Sequence, residues 1–326
     1  MSKSGPLSDR EVMRLVAELY YERDLGQPEV AAMTGFSVSK VSRLLSAARA
    51  QGIVHITVEP APEERPVAAV ELGERFGVTV EITPGHERDE AAAARLCGLG
   101  AVDRVLPRLP ETGAVGIAAG YTMAALAAGL PPLERPGLTI VPLVGGWDTE
   151  NRFLDGNQLA SRIAERVGAE SRTLLAPAVL DTAEMRQALL RDSTVAATAS
   201  QWRHLALALV GIGGSPQAHP GYRTVIDRLG DRSRDDLRSV GVAGDLAGHF
   251  FRADGSFLED WSNRTLAIPI ADLRASPMVV AVAAGAGKAA PILGALRTGV
   301  IDVLVTDLLT AEAVLGSTVG AEGRPT

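Results

Sequence analysis

Apolar positions follow two different patterns along this chain, and the change between them divides it in two. Over residues 8–52 they recur at the three- and four-residue spacing of amphipathic helices. Beyond residue 66 the chain contains short, continuous stretches of Val, Ile, Leu and Ala that end at glycines and precede helical segments. Such stretches are typical of parallel strands that are covered on both faces. The pattern therefore predicts an N-terminal all-α domain followed by a larger α/β domain.

The second part of the chain is predicted to alternate strands with helices. The strands are expected at 78–82, 114–118, 138–143, 173–176, 205–212, 266–270, 278–284 and 301–306. Helices are expected, among other places, at 158–167, 183–190 and 289–297. Ligands of open α/β sheets bind outside the carboxyl ends of the strands. The turns that follow these strands are therefore the candidate binding region.

The first part contains the spacing of a helix-turn-helix. Pro28 suits the first turn of a helix, and Gly35 is expected to end that helix in a left-handed conformation. Ser37 is expected to cap the next helix, which Gly52 would end, and residues 53–58 are predicted to form a strand or wing. A helix, a short glycine-containing turn and a second helix are the arrangement that places a recognition helix in DNA.

An earlier helix is predicted to pack on these two. It opens with a capping box formed by Ser8 and Glu11 and runs to about Tyr21. The expected core positions are Val12, Leu15, Val16 and Leu19 in this helix, Val30, Ala31 and Met33 in the second, and Val41, Leu44, Leu45 and Ala48 in the third.

Charge supports a DNA-binding surface on the third helix. The chain has a formal net charge of −7, yet residues 30–58 contain no Asp or Glu. DNA binding depends on Lys and Arg near phosphates, so a surface that approaches DNA has to exclude carboxylates. The residues expected to contact DNA are the polar ones at the start of this helix, namely Ser37, Ser39, Lys40, Ser42 and Arg43. The alternative is an ordinary helical hairpin with a solvated basic face.

Residues 59–66, EPAPEERP, are predicted to be a linker because they contain three prolines, three acids and no large apolar side chain. The predicted organisation is a helix-turn-helix domain at 1–58, this linker at 59–66 and a second domain at 67–326.

Composition narrows the class of protein further. Apolar residues make up 46% and charged residues 22%, as in globular proteins. Cys97 is the only cysteine, which excludes a disulfide framework and a thiolate metal cluster. We expect no signal segment, no membrane span and a cytoplasmic location. Only three of the 32 basic residues are lysines, and Lys288 is the one that follows a glycine turn. A lysine that persists in an arginine-rich chain indicates a site that needs a point charge.

Glycines follow four of the predicted strands. These turns contain Gly120 with Thr122, then Gly145 with Gly146, then Gly211, Gly213 and Gly214, and finally AAGAGK with Lys288. Helix starts of this kind favour an anion or a sugar oxygen. GAGK is not a Walker A loop because Val282 stands in its first glycine position and Ala289 replaces the hydroxyl. GIGGSP is not a dinucleotide fingerprint because Pro216 stands in its third glycine position. We therefore expect no ATP, no NAD and no other cofactor.

The motifs, taken in order, resemble those of SorC-type sugar-responsive transcriptional regulators. They are residues 19–56, GxxxGxTM, VGGW, FLDGNQLASRIA, LLAPAV, LALVGIG, VAGDLAGHFFRADG and VVAVAAGAGKAAPILGALRTGVIDVLVTDLLTA. The likeness covers nearly residues 10–316. It implies the Rossmann-like α/β fold of glucosamine-6-phosphate deaminase, ribose-5-phosphate isomerase and CoA-transferases, without retained catalysis. It also implies that residues 67–326 bind a sugar or sugar phosphate, mediate oligomerisation and control a DNA-binding tetramer.

The resemblance also implies an effector site. Its residues would be Gly120, Thr122, Gly145, Gly146, Asp155, Asn157, Gln158, Gly211, Gly213, Asp245 and Lys288. Carboxylates and amides can bind sugar hydroxyls, while Lys288 and main-chain N–H groups can hold an anionic end. The family usually has Trp at the position of Ala119 and a small or basic residue at that of Tyr121. A bulky Tyr121 would occlude the phosphate loop, so we hypothesise an unphosphorylated sugar or polyol.

Three functions are compatible with these features. The first is a sugar-sensing regulator that binds a double-stranded operator as a dimer or tetramer. The second is a sugar-phosphate isomerase or deaminase with an added DNA-binding domain, but no Glu or His stands in the matching turns to act as its base. The third is a constitutive DNA-binding protein whose second domain is structural. The five histidines show no metal-ligand spacing, and Trp147, Trp202 and Trp261 are expected to pack in the core or at its rim.

Overall fold

The structure, a computed structural model, describes residues 9–56, 66–85, 87–147, 155–214 and 231–322, without the side chains of 231–234 and 319–322. The chain forms two compact units, Met1–Glu64 and Arg65–Thr326. The division falls in the segment where the sequence predicts a linker. Residues 57–65 lie outside the described part of the chain, so the linker itself stays a prediction.

The first unit is helical, as predicted. Its elements are α1 (Asp9–Ala17), a π-helical continuation (Glu18–Glu22), α2 (Gln27–Thr34) and α3 (Val38–Ala50). The predicted cap Ser8 lies outside the described residues.

The predicted wing is wrong for residues 53–56, which form no strand. The main-chain N–H groups of Ile53 and Val54 instead donate to the carbonyl of Ala48, at 2.8 and 3.2 Å. Both side chains pack against the core of this unit, so the segment closes the end of α3. Val58 lies outside the described residues.

Nine residues form the buried core of this unit. They are Met13, Val16, Ala17, Leu19, Val30, Ala31, Val41, Leu45 and Ala48. Two predicted core positions are wrong: Leu15 is 41% exposed and Met33 is 63% exposed. Each stands about half a helical turn from a residue that does face the core, Met13 for the first and Ala31 for the second. The predicted apolar face is therefore too wide in both helices, because Val16, Leu19, Val30 and Ala31 do lie in the core.

The second unit is built on a seven-stranded parallel sheet. The strands are β1 (Thr79–Thr83), β2 (Thr112–Ile117), β3 (Gly137–Pro142), β4 (Glu170–Ser171), β5 (Leu205–Val210), β9 (Val279–Val282) and β10 (Val303–Asp307), in the spatial order β1-β10-β9-β5-β2-β3-β4. Every pairing is parallel. The predicted α/β class is confirmed.

Helices connect these strands. They are α4 (Val67–Phe76), α5 (Glu90–Gly100), α6 (Val102–Val105), α7 (Tyr121–Gly129), α8 (Gly156–Val167), α9 (Ala183–Arg191), α10 (Ser193–Ala199), α11 (Asp231–Ser239), α12 (Glu259–Ser262), α13 (Ile270–Ala275), α14 (Ala289–Arg297) and α15 (Leu308–Glu322). No helix among the described residues is long and apolar enough to cross a membrane.

The sheet is covered on both faces. Successive strand residues alternate between two apolar clusters: Val279 and Ala281 belong to one, Val280 and Val282 to the other. Because neighbouring side chains in a strand point to opposite faces, each cluster covers one face of the sheet. This explains the continuous apolar stretches in the sequence.

Two predicted strands are wrong. Residues 173–176 form no ladder, because their main chain is bound by the Asn157 amide and by the turn at Gly146. Residues 266–270 contribute only an isolated bridge from Ala267 to Val144, and α13 begins at Ile270.

A β-hairpin was missed. Strands β7 (Val242–Leu246) and β8 (His249–Arg252) join β6 (Ile212–Gly213) in a three-stranded antiparallel sheet. The two turn residues Ala247 and Gly248 both have positive φ, 49° and 82°, as in the mirror-image turns of tight hairpins. Gly244 and Asp245 stand in the middle of β7, and strands disfavour both residue types, so its strand pattern is weak. Since β6 follows β5 after Gly211, this small sheet begins at the carboxyl edge of the large one.

Candidate functional site

The turn between α2 and α3 has the predicted caps. Gly35 ends α2 with φ of 72°, a left-handed conformation that favours glycine. The Ser37 hydroxyl accepts a hydrogen bond from the Lys40 main-chain N–H at 3.2 Å and so caps α3. At the other end of α2, the Glu29 carboxylate accepts from the Gly26 N–H at 2.7 Å. Each end of this motif is therefore fixed by its own residues.

The five residues predicted to bind DNA are all exposed, and they follow one another at the start of α3. The Lys40 ammonium lies 4.0 Å above the centre of the Phe36 ring. The Arg43 side chain donates to the Ser39 carbonyl at 3.4 Å. The opposite face of α3 is buried in the core, so this polar face points away from the unit. The structure brings the five residues together, and their contact with DNA remains a prediction.

The first predicted effector turn joins β2 to α7. Gly120 is extended and precedes α7, whose first bond runs from the Ala124 N–H to the Gly120 carbonyl at 2.8 Å. Thr122 is buried in the first turn of the helix, and its carbonyl touches the position where Gly98 of α5 lacks a side chain. Tyr121 is 38% exposed. The tyrosine that departs from the family pattern therefore lies at the surface of this turn.

The second predicted turn uses its main-chain donors internally. The Gly145 N–H donates to the Leu266 carbonyl at 2.9 Å, and the Gly146 N–H donates to the Ala176 carbonyl at 2.8 Å. A Cβ on Gly145 would lie 2.6 Å from the Pro177 oxygen, so the close approach of two main chains requires glycine here. Both N–H groups are therefore bound by main-chain carbonyls of the protein.

Three predicted residues lie at the start of α8, with different surroundings. Asp155 caps the helix by accepting from the Gln158 N–H at 3.0 Å, and its other oxygen would lie 3.6 Å from a Cβ on Gly146. The Asn157 amide binds the main chain of Leu174 twice, donating to its carbonyl at 3.2 Å and accepting from its N–H at 2.7 Å. Gln158 is exposed. Asn157 therefore has a structural contact that the sequence did not reveal.

Opposite charges meet at β6. Gly213 pairs with Asp245 of β7, and a Cβ on Gly213 would lie 2.6 Å from the Asp245 Cγ. The Lys288 ammonium donates to the Ile212 carbonyl at 2.9 Å. Asp245 is 7% exposed and Lys288 only 5% exposed. Burying charged groups is costly, so buried charged groups in a protein often mark a functional site.

The predicted residues form two groups along one edge of the sheet. The first contains Gly211, Gly213, Asp245 and Lys288, and it reaches α7 because a Cβ on Gly211 would lie 3.8 Å from Met123. The second contains Gly145, Gly146, Asp155 and Asn157. The hairpin turn joins them, because a Cβ on Gly248 would lie 2.9 Å from Val144. The strands β9, β5, β2 and β3 that end here are neighbours in the sheet.

His249 fastens the hairpin to this edge. It is buried in β8, with Nε2 2.6 Å from the Ile268 carbonyl and Nδ1 3.0 Å from the Ser262 hydroxyl. Burial lowers the pKa of His249 from 6.5 to about 4. The ring is therefore neutral at pH 7, donating from Nε2 and accepting at Nδ1. The Ile268 N–H donates in turn to Leu143 at 2.8 Å, which links the hairpin to the turn after β3.

Three polar residues of the last glycine turn were missed from the sequence. Glu90 accepts from the Gly287 N–H at 2.7 Å, and the Gly285 N–H donates to the Thr310 hydroxyl at 2.8 Å. Thr310 is bound by the carboxylate of Asp307. An acid in the first turn of a helix is common, so the sequence gave no indication of the contact made by Glu90.

Among the described residues, no group of three or more His, Cys, Asp and Glu is placed to hold a metal ion.

The comparisons with known proteins agree with this architecture. A family model described as "Putative sugar-binding domain" matches residues 62–316. A sorbitol operon regulator from Klebsiella pneumoniae is 33% identical over 309 residues, which are 92% of this chain and 96% of that protein. The erythritol catabolism regulatory protein EryD of Brucella abortus is 28% identical over 314 residues, 95% of this chain and 98% of that protein.

The fold comparison gives the same result. The crystal structure of the full-length sorbitol operon regulator SorC from K. pneumoniae matches with a TM-score of 0.69 and 30% identity, covering 94% of this chain and 99% of that one. The resemblance predicted from the motifs is thereby confirmed, and it extends through both units. The chain belongs to the SorC family of transcriptional regulators, whose second unit is a sugar-binding domain.

Proposed function

We propose that the protein binds an operator through α3 and that a sugar, polyol or sugar phosphate bound at the carboxyl edge of the sheet controls this binding. One observation supports this most directly: a buried carboxylate and a buried ammonium, those of Asp245 and Lys288, contact β6 in a chain whose exposed helix α3 contains no acid. The relatives named for sorbitol and erythritol regulation favour a sugar or polyol as the class of effector.

The chemistry of the edge suits a polyhydroxy ligand. Carboxylates of Asp155 and Asp245 can accept hydrogen bonds from hydroxyls, and the ammonium of Lys288 can donate to an oxygen. Gly120 and Thr122, at the start of α7, would approach the ligand through main-chain groups. Gly145, Gly146 and Gly211 would define the shape of the cleft because they lack side chains. Asn157 would fix the main chain at one side of the cleft. Gln158, which is exposed, would lie at the rim.

The regulator would act as an oligomer in the cytoplasm. A recognition helix reads only a short half-site, so a dimer or tetramer would place two α3 helices in successive major grooves about 34 Å apart. Effector binding would shift the operator affinity by about 5- to 150-fold, which is the usual range of allosteric coupling.

We also propose that the sugar-binding domain is not catalytic. His249, the histidine that the fold brings to this edge, is neutral and occupied by Ser262 and Ile268, which leaves it unsuited to act as a base. Incubation with glucosamine 6-phosphate and ribose 5-phosphate should give no isomerised or deaminated product. Turnover that is lost in Asp245→Asn would favour the enzyme instead.

Selection of an operator followed by a ligand titration tests the proposed function. A duplex bound by the full chain would be enriched from a random-sequence pool, and its binding measured with and without a panel of sugars, polyols and their phosphates. We expect one class to change the affinity at least fivefold, and Asp245→Asn to remove the response while DNA binding remains. Asp260→Asn, at an exposed position of the same unit, is the matched control. If no compound of the panel changes the affinity for the selected operator, control by a sugar is contradicted.

A further inference from the structure

The turn after β9 is closed around a carboxylate of the protein itself. This turn contains Gly285 and Gly287 and leads through one 3-10 turn into α14. The Gly287 N–H donates to Glu90 Oε1 at 2.7 Å. The Gly285 N–H donates to Thr310, and the Lys288 N–H donates back to the Gly285 carbonyl at 2.9 Å. These three N–H donors of the turn are therefore bound by groups of the protein itself.

The glycine at 285 is required in two ways. Its φ of 116° lies in the region that side chains rarely adopt. A Cβ there would also lie 3.0 Å from Glu90 Cδ and closer still to Oε2. The main chain at residue 285 and the Glu90 carboxylate can lie this close together only because residue 285 has no side chain.

Glu90 is held in position from its own side as well. It is the first residue of α5, and the preceding Asp89 caps that helix by accepting from the Ala92 N–H at 2.8 Å. Glu90 therefore binds the last glycine turn from helix α5. The same helix packs against α7, where the first predicted effector turn ends.

We propose that Glu90 makes the effector site selective for uncharged ligands, an inference that rests on the proposed function. Free N–H groups at a helix start attract phosphate, and here a carboxylate already occupies that position. A phosphate would have to displace Glu90 or lie beside it, and like charges in one site disfavour binding. A sugar hydroxyl can instead donate to the same carboxylate. Tyr121, at the surface of the other turn, favours the same choice on steric grounds.

Inorganic phosphate is the direct probe of this turn. Thermal unfolding of the full chain would be followed with increasing phosphate, at constant ionic strength, in the wild type, Glu90→Gln and Glu90→Ala. We expect the wild type to respond weakly and both variants to bind phosphate about tenfold more tightly or better. Glu71→Gln, which removes an exposed carboxylate of the same unit, should behave as the wild type. Glu90→Gln keeps the shape and one acceptor, so it guards against a misfolded alanine variant.

A matched ligand pair completes the test. Binding of D-sorbitol and D-sorbitol 6-phosphate would be compared by operator titration in the same variants, with the phosphate gaining relative to the free polyol when Glu90 is replaced. Wild-type protein that binds phosphate as well as the folded variants do would overturn the role of Glu90. If phosphate binding rises as expected but no sugar or polyol changes operator affinity, the proposed function fails and the charge selectivity of this turn stands.

Discussion

Gly213 provides the space in which the Asp245 side chain lies, and filling that space is a sharp test of the site. A methyl group at position 213 would lie 2.6 Å from Asp245 Cγ, whereas ordinary contacts begin at 3.4 Å. Gly213 is not among the glycines with positive φ, so alanine is compatible with its backbone. Gly213→Ala therefore perturbs the protein through one contact, that with the carboxylate of the opposite strand.

The size of the effect follows from two opposing terms. Overpacking in a well-packed region costs about 1–3 kcal/mol, while glycine to alanine at a compatible position returns about 0.4–1 kcal/mol through the unfolded state. We expect a net loss of about 1–2 kcal/mol, which lowers the melting temperature by about 2–8 °C in a domain of this size. Gly211→Ala is the matched control, because the nearest atom to its new methyl would be Met123 Cγ at 3.8 Å. It should be as stable as the wild type or slightly more so.

Urea unfolding of the full chain measures the loss, and a double-mutant cycle assigns it. If the clash is with the carboxylate, Gly213→Ala should cost little in an Asp245→Ala background, since the two changes share one contact. Operator response to an effector should also fail in Gly213→Ala. Equal stability of the two glycine variants would refute the reasoning, and so would an undiminished loss in the Asp245→Ala background.

Three further predictions concern the remaining contacts. Because burial lowers the pKa of His249 to about 4, the unfolded state binds a proton that the folded state does not as pH falls from 6.5 to 4. The free energy of unfolding should fall by about 1.4 kcal/mol per pH unit in that window, about 3 kcal/mol in all, and urea unfolding should show a smaller fall in His249→Gln; parallel curves would contradict this. Asn157→Ala, which removes both main-chain bonds of the amide, should lower stability by about 1–3 kcal/mol, whereas exposed Gln158→Ala should stay within about 0.5 kcal/mol; equal melting temperatures would show that the amide bonds contribute nothing. Lys40→Ala should weaken binding to a random duplex and reduce the slope of log affinity against log salt by about 1, while Arg95→Ala should leave both unchanged; an unaltered slope would mean that Lys40 contacts no phosphate.

The sequence predicted what local chemistry determines. Gly35 and Ser37 end and begin helices because their own backbone and hydroxyl satisfy the helix termini, so neighbours in the chain are enough to recognise them. The continuous apolar stretches predicted six of the seven parallel strands, β1, β2, β3, β5, β9 and β10, because a strand buried on both faces is apolar at every position.

Partners distant in the chain account for the failures. Residues 173–176 look like a strand, but the Asn157 amide and the turn at Gly146 bind their main chain instead. The hairpin of β7 and β8 was missed because Gly244 and Asp245 are poor strand formers that tertiary packing tolerates. Glu90 reaches a turn almost 200 residues away, and nothing in its own neighbourhood records that contact.

The glycine turns acquire a different meaning once their donors are assigned. Gly145 and Gly146 donate to main-chain carbonyls and Gly287 donates to Glu90, so these three N–H groups form no open anion nest. Beside the Lys288 ammonium and the main chain at the start of α7, the edge carries carboxylates near β6 and at the start of α8. Carboxylates bind hydroxyl groups well and phosphates poorly, because a hydroxyl can donate and a phosphate brings a like charge. The arrangement therefore favours a neutral polyhydroxy effector, on grounds that are independent of the side chain at position 121.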